Sequence, residues 1–138
     1  MEILIDDLGY KENNGKIIVE IAGEEGLEIS IIQAFEHGMK ANIKLNKEHV
    51  ELLLNSLYTG LASMKSGSSF LEREAISIIN VDSKSKENTG VIIVSQIANY
   101  LILCISLRYF GDPELLLNRE NVELLIKTIE DLILKTFR

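Results

Sequence analysis

Apolar residues recur along this chain with two different periods. After Asn46 they fall at Val50, Leu53, Leu54, Leu57, Tyr58 and Leu61, and after Asn118 at Val122, Leu125, Ile126, Ile129, Leu132 and Ile133. Spacings of i, i+3, i+4 and i+7 predict one buried face of an amphipathic helix in each place. Asn46 and Asn118 suit helix N-caps, and an acid follows each in the first turn, where the helix dipole favours it. Leu52 and Leu124 lie off the stripe and widen it, so each helix is expected to touch more than one neighbour. Ahead of each helix the period drops to two. Glu2–Asp6, Lys16–Ala22, Leu27–Phe35 and a short Ala41–Leu45 read as strands before the first helix. Ala75–Val81, Val91–Ile97, Tyr100–Phe110 and Glu114–Leu117 take the same places before the second. Turns are expected at Gly23-Glu24-Glu25-Gly26, near Ala98-Asn99 and at Gly111-Asp112-Pro113. A continuous helix over 91–110 is the rival to the second strand pair.

The two halves match in sequence as well as pattern. Leu45–Leu54 and Leu117–Ile126 share seven of ten residues at an offset of 72. Lys11–Val19 and Lys86–Val94 share seven of nine at an offset of 75, including the turn Lys-Glu-Asn-x-Gly. Both matches occur in the same order, and one short loop deletion reconciles the offsets. Shared helical amphipathicity explains the first match but not the second. The chain is therefore read as α+β, with two tandem copies of a strand-strand-strand-helix unit. The first copy spans 1–62, a linker 63–73, centred on the Ser/Gly-rich stretch Ser63–Ser69, and the second copy 74–138. A copy this small cannot cover both a sheet and a helix alone. One core shared about a pseudo-twofold axis is expected, with a mainly antiparallel sheet and both helices on one of its faces.

Composition narrows the class. Twenty isoleucines and no tryptophan favour a strand-rich core. The net charge of −7 argues against a nucleic-acid partner. Residues 1–70 hold 11 acids and 6 bases, residues 71–138 hold 10 acids and 8 bases, and all four arginines are in the second half. The single cysteine, Cys104, rules out an intrachain disulfide and suits a reducing compartment. Acids near the N-terminus and a short apolar run there do not form a signal peptide. Val91–Phe110 has about the length of a membrane span, but Gln96, Asn99 and Arg108 interrupt it. A soluble cytoplasmic protein with no membrane partner is expected.

Chemistry is sparse in the sequence. The two histidines, His37 and His49, have no metal-ligand spacing, so neither a metal nor any other cofactor is expected. His49 reads as a solvated first-turn residue and His37 as a turn residue. Cys104 reads as a small buried hydrophobe rather than a nucleophile. No phosphate-binding glycine loop or nucleophile elbow occurs. Glu24, Glu25 and Glu28 form an acidic cluster lacking in the second copy and are the candidate partner-binding residues. Arg108, on an otherwise apolar strand, is the candidate contact for an anionic ligand, with Tyr100 and Tyr109 beside it.

These features favour a non-catalytic acidic binding protein acting through protein–protein contact. Its general profile resembles bacterial immunity proteins and phage-encoded inhibitors. The strand followed by Leu-Asn-Lys-Glu and an amphipathic helix resembles small prophage accessory proteins. That resemblance covers one strand-to-helix segment of each copy, implies a protein partner and assigns no residue a role. The alternative is a small-molecule or nucleotide-binding or sequestering protein with a pocket at the repeat or dimer interface. An enzyme with a site assembled only by folding is a further alternative. Self-association, as a homodimer or higher oligomer, is expected because Leu52, Leu124 and the alternating strands offer apolar surface.

Overall fold

A computed structural model describes residues 1–6, 8, 13–23, 26–108 and 111–137. The order is β1 (Glu2–Ile5), β2 (Gly15–Ile21), β3 (Leu27–Gln33), β4 (Lys40–Leu45) and α1 (Lys47–Lys65). It is followed by β5 (Phe70–Val81), β6 (Gly90–Ala98), β7 (Tyr100–Leu107), β8 (Glu114–Leu117) and α2 (Arg119–Thr136). The α+β class holds, and each half has four strands before its helix. Instead of one shared sheet, the strands make two antiparallel meanders, β1-β2-β3-β4 and β5-β6-β7-β8. The expected linker 63–73 shrinks to Ser66–Ser69, because α1 runs on to Lys65 and β5 starts at Phe70. Residues 70–73 were hidden from pattern reading by their exposure: as part of an edge strand they point no apolar stripe at the core.

The first sheet is amphipathic. Ile17, Val19, Ile29, Ile31, Ile43 and Leu45 all enter the core, while Lys16, Glu20, Glu28, Asn42 and Lys44 point to the opposite face. In the second sheet, β6 and β7 are buried on both faces over their middle. Ile92, Val94, Leu101, Leu103 and Ile105 join the core, and Ser95, Ile102 and Cys104 on the other face are buried too. The near-continuous apolar run over 91–110 therefore starts as two buried, paired strands. They are joined through Ala98-Asn99, with Ile97 opposite Tyr100. Among the described residues no helix is long and apolar enough to cross a membrane. Two register shifts bend β5. Arg73 then reaches across the sheet and donates two hydrogen bonds to Glu114 of β8, at 3.0 and 2.8 Å. Flat strands three steps apart would stand about 14 Å from each other, so this contact marks a curled sheet.

The helices cross over. α1 packs on β5 and β6 of the second half, and α2 on β1 and β2 of the first. One apolar cluster includes residues of both sheets and both helices. One contact pairs positions that the sequence match makes equivalent. Tyr58 OH donates to Glu130 Oε2 at 2.8 Å, and these residues are 72 apart. An approximate twofold axis between α1 and α2 would bring such a pair together. Asn46 and Asn118 cap their helices in matching boxes. The Asn46 N–H donates to His49 Nδ1 at 3.2 Å, and the Asn118 N–H donates to Asn121 Oδ1 at 3.0 Å. His49 is thus a half-buried capping residue rather than a solvated one.

The repeated turn Lys-Glu-Asn-x-Gly has a role in this symmetry. Asn88 takes both backbone groups of Lys44 in β4: the Lys44 N–H donates to Oδ1 at 2.6 Å, and Nδ2 donates to Lys44 O at 3.1 Å. Asn13 does the same to Leu116 in β8, at 2.6 and 3.0 Å. Each asparagine therefore clasps the edge of the other half's fourth strand, where a ladder partner would otherwise sit. The clasps thus tie the two sheets together at those edges. The glycine of each turn opens a strand that runs too close to its neighbour for a side chain. A Cβ on Gly15 would collide with Ile32 O, and one on Gly90 with Ser106 O.

Candidate functional site

The Asn88 clasp also builds a cleft. On β4, Ala41, Ile43 and Leu45 go to the core, so Lys40, Asn42 and Lys44 all stand on the exposed face. The segment from Asp82 to Thr89 faces them. It is held at Lys44 by Asn88 and folded internally by the Thr89 hydroxyl, which donates to Ser83 O and Ser85 O at 3.1 and 3.0 Å. Between these walls lies a cleft of about 630 Å³. Lys40, Asn42, Lys44 and Glu28 line it from the first half, and Ser83, Ser85, Glu87 and Asn88 from the second. Ala41 and Leu107 supply its apolar contacts. A smaller hollow of about 310 Å³ shares Lys44, Ser83 and Asn88 and adds Asn46 and His49.

Charges in the cleft are unevenly satisfied. Glu28 Oε2 accepts a hydrogen bond from Asn42 Nδ2 at 3.2 Å. The ion pairs among the described residues are Lys16–Glu2, His37–Glu36, Arg73–Glu114 and Arg119–Glu123. Lys40 and Lys44 are in none of them. The cleft thus presents two ammonium groups, hydroxyls, amides and two carboxylates to whatever enters it.

The residues singled out from sequence fall in different places. Glu28 is on the cleft wall. Glu24, Glu25 and Tyr109 lie outside the described residues. Tyr100 and Arg108 stand at opposite ends of β7, roughly 25 Å apart by strand geometry. Tyr100 lines a hollow with Met64, Asn118 and Arg119, and Arg108 one with Asp82, Thr89 and Ser106. They form no common pocket within one chain. His37 is exposed in a left-handed turn conformation, φ 64°, 3.6 Å from Glu36. Cys104 is buried, and burial together with nearby Glu114 and Asp112 pushes its thiol up to about 11. Among the described residues no group of three or more His, Cys, Asp or Glu could hold a metal ion.

Sequence reasoning missed Lys40, Asn42, Lys44, Ser83 and Ser85. Two signals pointed at them. Lys40, Asn42 and Lys44 alternate with three apolar residues and so share one strand face. The Lys86-Glu87-Asn88 turn recurs where no helical stripe demands it. Set against protein-family models, curated proteins and solved structures, the chain shows no match to any of them.

Proposed function

We propose that this protein binds a small molecule in the cleft between its two halves. One observation carries the reading: about 630 Å³ of space, within the range of ligand sites, is walled by polar side chains from both copies. Two of those side chains, Lys40 and Lys44, form no ion pair among the described residues, and Lys44 stands opposite Glu28 in the β3–β4 register. The test is native mass spectrometry of protein purified from cells, beside the variant Asn42→Trp. Asn42 points away from the core, so the indole fills the cleft without disturbing the fold. A bound molecule present in the wild type and lost in the variant is the expected result. Protein with no added mass, whose melting temperature no metabolite raises, would overturn it.

A second reading is a protein partner or a second copy on the outer face of the second sheet. It is favoured by Leu71, fully exposed, and Ile78, 59% exposed on that face. Sedimentation at micromolar concentration tests it. The reading stands if wild type self-associates and Leu71→Asp with Ile78→Asp returns a monomer, and it falls if wild type is already a monomer and captures no partner.

A further inference from the structure

We infer that the first sheet takes an extended, basic segment of another polypeptide, added as a strand beside the last residues of β2. The second half shows what fills this place. There Phe70–Ala75, the start of β5, run along the end of β6, with Phe70 opposite Ala98, Glu74 opposite Gln96 and Ala75 opposite Ser95. β2 and β6 both open on the glycine of the repeated turn, so Glu20 and Ile21 stand where Ser95 and Gln96 do. The β1–β2 ladder, however, stops at Glu2 opposite Ile18, and one further backbone pair joins Met1 to Val19. Backbone groups alternate sides along a strand, so Ile21, two residues beyond Val19, points its N–H and C=O the same way. Among the described residues no strand or bridge pairs with Ile21 on that side. An open edge of this kind is a template for strand addition.

Charge selects the partner. Glu20 and Glu28 lie directly opposite each other in the β2–β3 register, on the face turned away from the core. Their counterparts Ser95 and Ile102 are also opposite each other, but are uncharged and only 2% and 1% exposed. Like charges in directly opposed positions destabilise a sheet. Lys44 stands beyond Glu28 in the β3–β4 register, and Asn42 donates to Glu28. One lysine balances one of the two carboxylates, and Glu20, the one nearer the open edge, is in no ion pair among the described residues. The turn that joins these strands adds Glu24 and Glu25 in sequence. The second half supplies the pattern for the missing charge. Arg73, on the added stretch itself, reaches over its sheet and donates two hydrogen bonds to Glu114. A lysine or arginine of the incoming segment, laid over β2, would stand beside Glu20 and Glu28. Backbone pairing at Ile21 supplies the affinity, and this cation the preference.

The probes are fluorescent, end-blocked peptides titrated into the full chain at about 0.15 M salt, where distant charges are screened. One is Val-Arg-Val-Arg-Val-Thr. In a second, both arginines become glutamine. In a third, the arginines stay but two valines become proline, which cannot donate to a ladder. Glu20→Gln and Glu28→Gln test the charge, and Glu51→Gln, exposed on α1, controls for net charge. The first peptide is expected to bind more tightly than the other two. Its affinity should fall about threefold or more in Glu20→Gln and Glu28→Gln and hold in Glu51→Gln, as suits one partly exposed charge contact. Hydrogen exchange of the Ile21 amide should slow in the complex. Equal binding of the proline or glutamine peptide would overturn the inference, as would equal loss in Glu51→Gln, unchanged exchange at Ile21, or no binding at millimolar concentration. Glu20 does not line the cleft, so its effect is separable from the cleft reading.

Discussion

Asn88 shows how much one side chain can do at this scale. Its amide copies the donor and acceptor of a missing strand, and in doing so holds one wall of the cleft to β4. Asn88→Ala would strand the Lys44 N–H and C=O and is expected to cost about 1–2 kcal/mol in urea unfolding. Asn13→Ala should cost more, about 2–3 kcal/mol, because Asn13 is buried and its amide also donates to Asp6 O at 2.9 Å. The two clasps bind separate strands, so their effects should add. Equal costs, or none, would show that water replaces the amides freely. Cys104 gives a second prediction. Its folded thiol titrates near 11 against an ordinary value of 9.0. The neutral thiol is therefore favoured by folding, and its stability contribution is full below pH 9.0 and lost as pH rises toward about 11. Stability measured by urea unfolding should decline across that interval, and Cys104→Ala should remove that part of the decline. Rapid alkylation of the native protein at pH 7 would contradict the burial.

Elements were legible in proportion to how local their causes are. Both helices followed from the spacing of apolar residues and from Asn46 and Asn118, whose caps act within one turn. The Ala98-Asn99 turn was legible as well, since it divides two runs that alternate. Most of β5 was legible at Ala75–Val81, but its start was not, because Phe70–Arg73 pair with β6 through a bulged register and show no apolar alternation of their own. The split into two sheets was hidden too, since strand pairing is settled by contacts between residues far apart in sequence. Candidate site residues fared likewise. Glu28 was found on its charge, but its cleft exists only because the segment from Asp82 to Thr89 docks on β4. The β6–β7 turn yields a prediction at this scale. Ala98 has φ 50° and Asn99 is not among the residues with positive φ, the pattern of a type II′ turn, whose first position favours glycine. Ala98→Gly should stabilise the protein by about 0.5–1 kcal/mol, the relief of left-handed strain outweighing the added chain entropy. A fall in the urea midpoint would mean that the methyl group contributes packing worth more than the strain.

At the scale of the molecule, each helix packs more on the half it does not follow in sequence than on its own. α1 covers β5 and β6, and α2 covers β1 and β2. A half on its own would expose Ile17, Val19, Ile29 and Ile31, or Ile92, Val94, Leu103 and Ile105, which are among the most buried side chains of the chain. At this size a unit has too little surplus burial to tolerate that loss. Fragments 1–66 and 67–138 should therefore fail to give cooperative unfolding as separate monomers. Mixed in equal amounts, they should form a one-to-one complex with the circular dichroism of the intact chain. Self-association of fragment 1–66 would also fit, because the pseudo-twofold lets a second copy stand where the second half normally sits, with Tyr58 then facing Tyr58 in place of Glu130. The decisive contrary result is a monomeric fragment with a sharp urea transition. That would mean each half completes its own core, and the cleft between them would become a joint between two independent bodies rather than a seam within one.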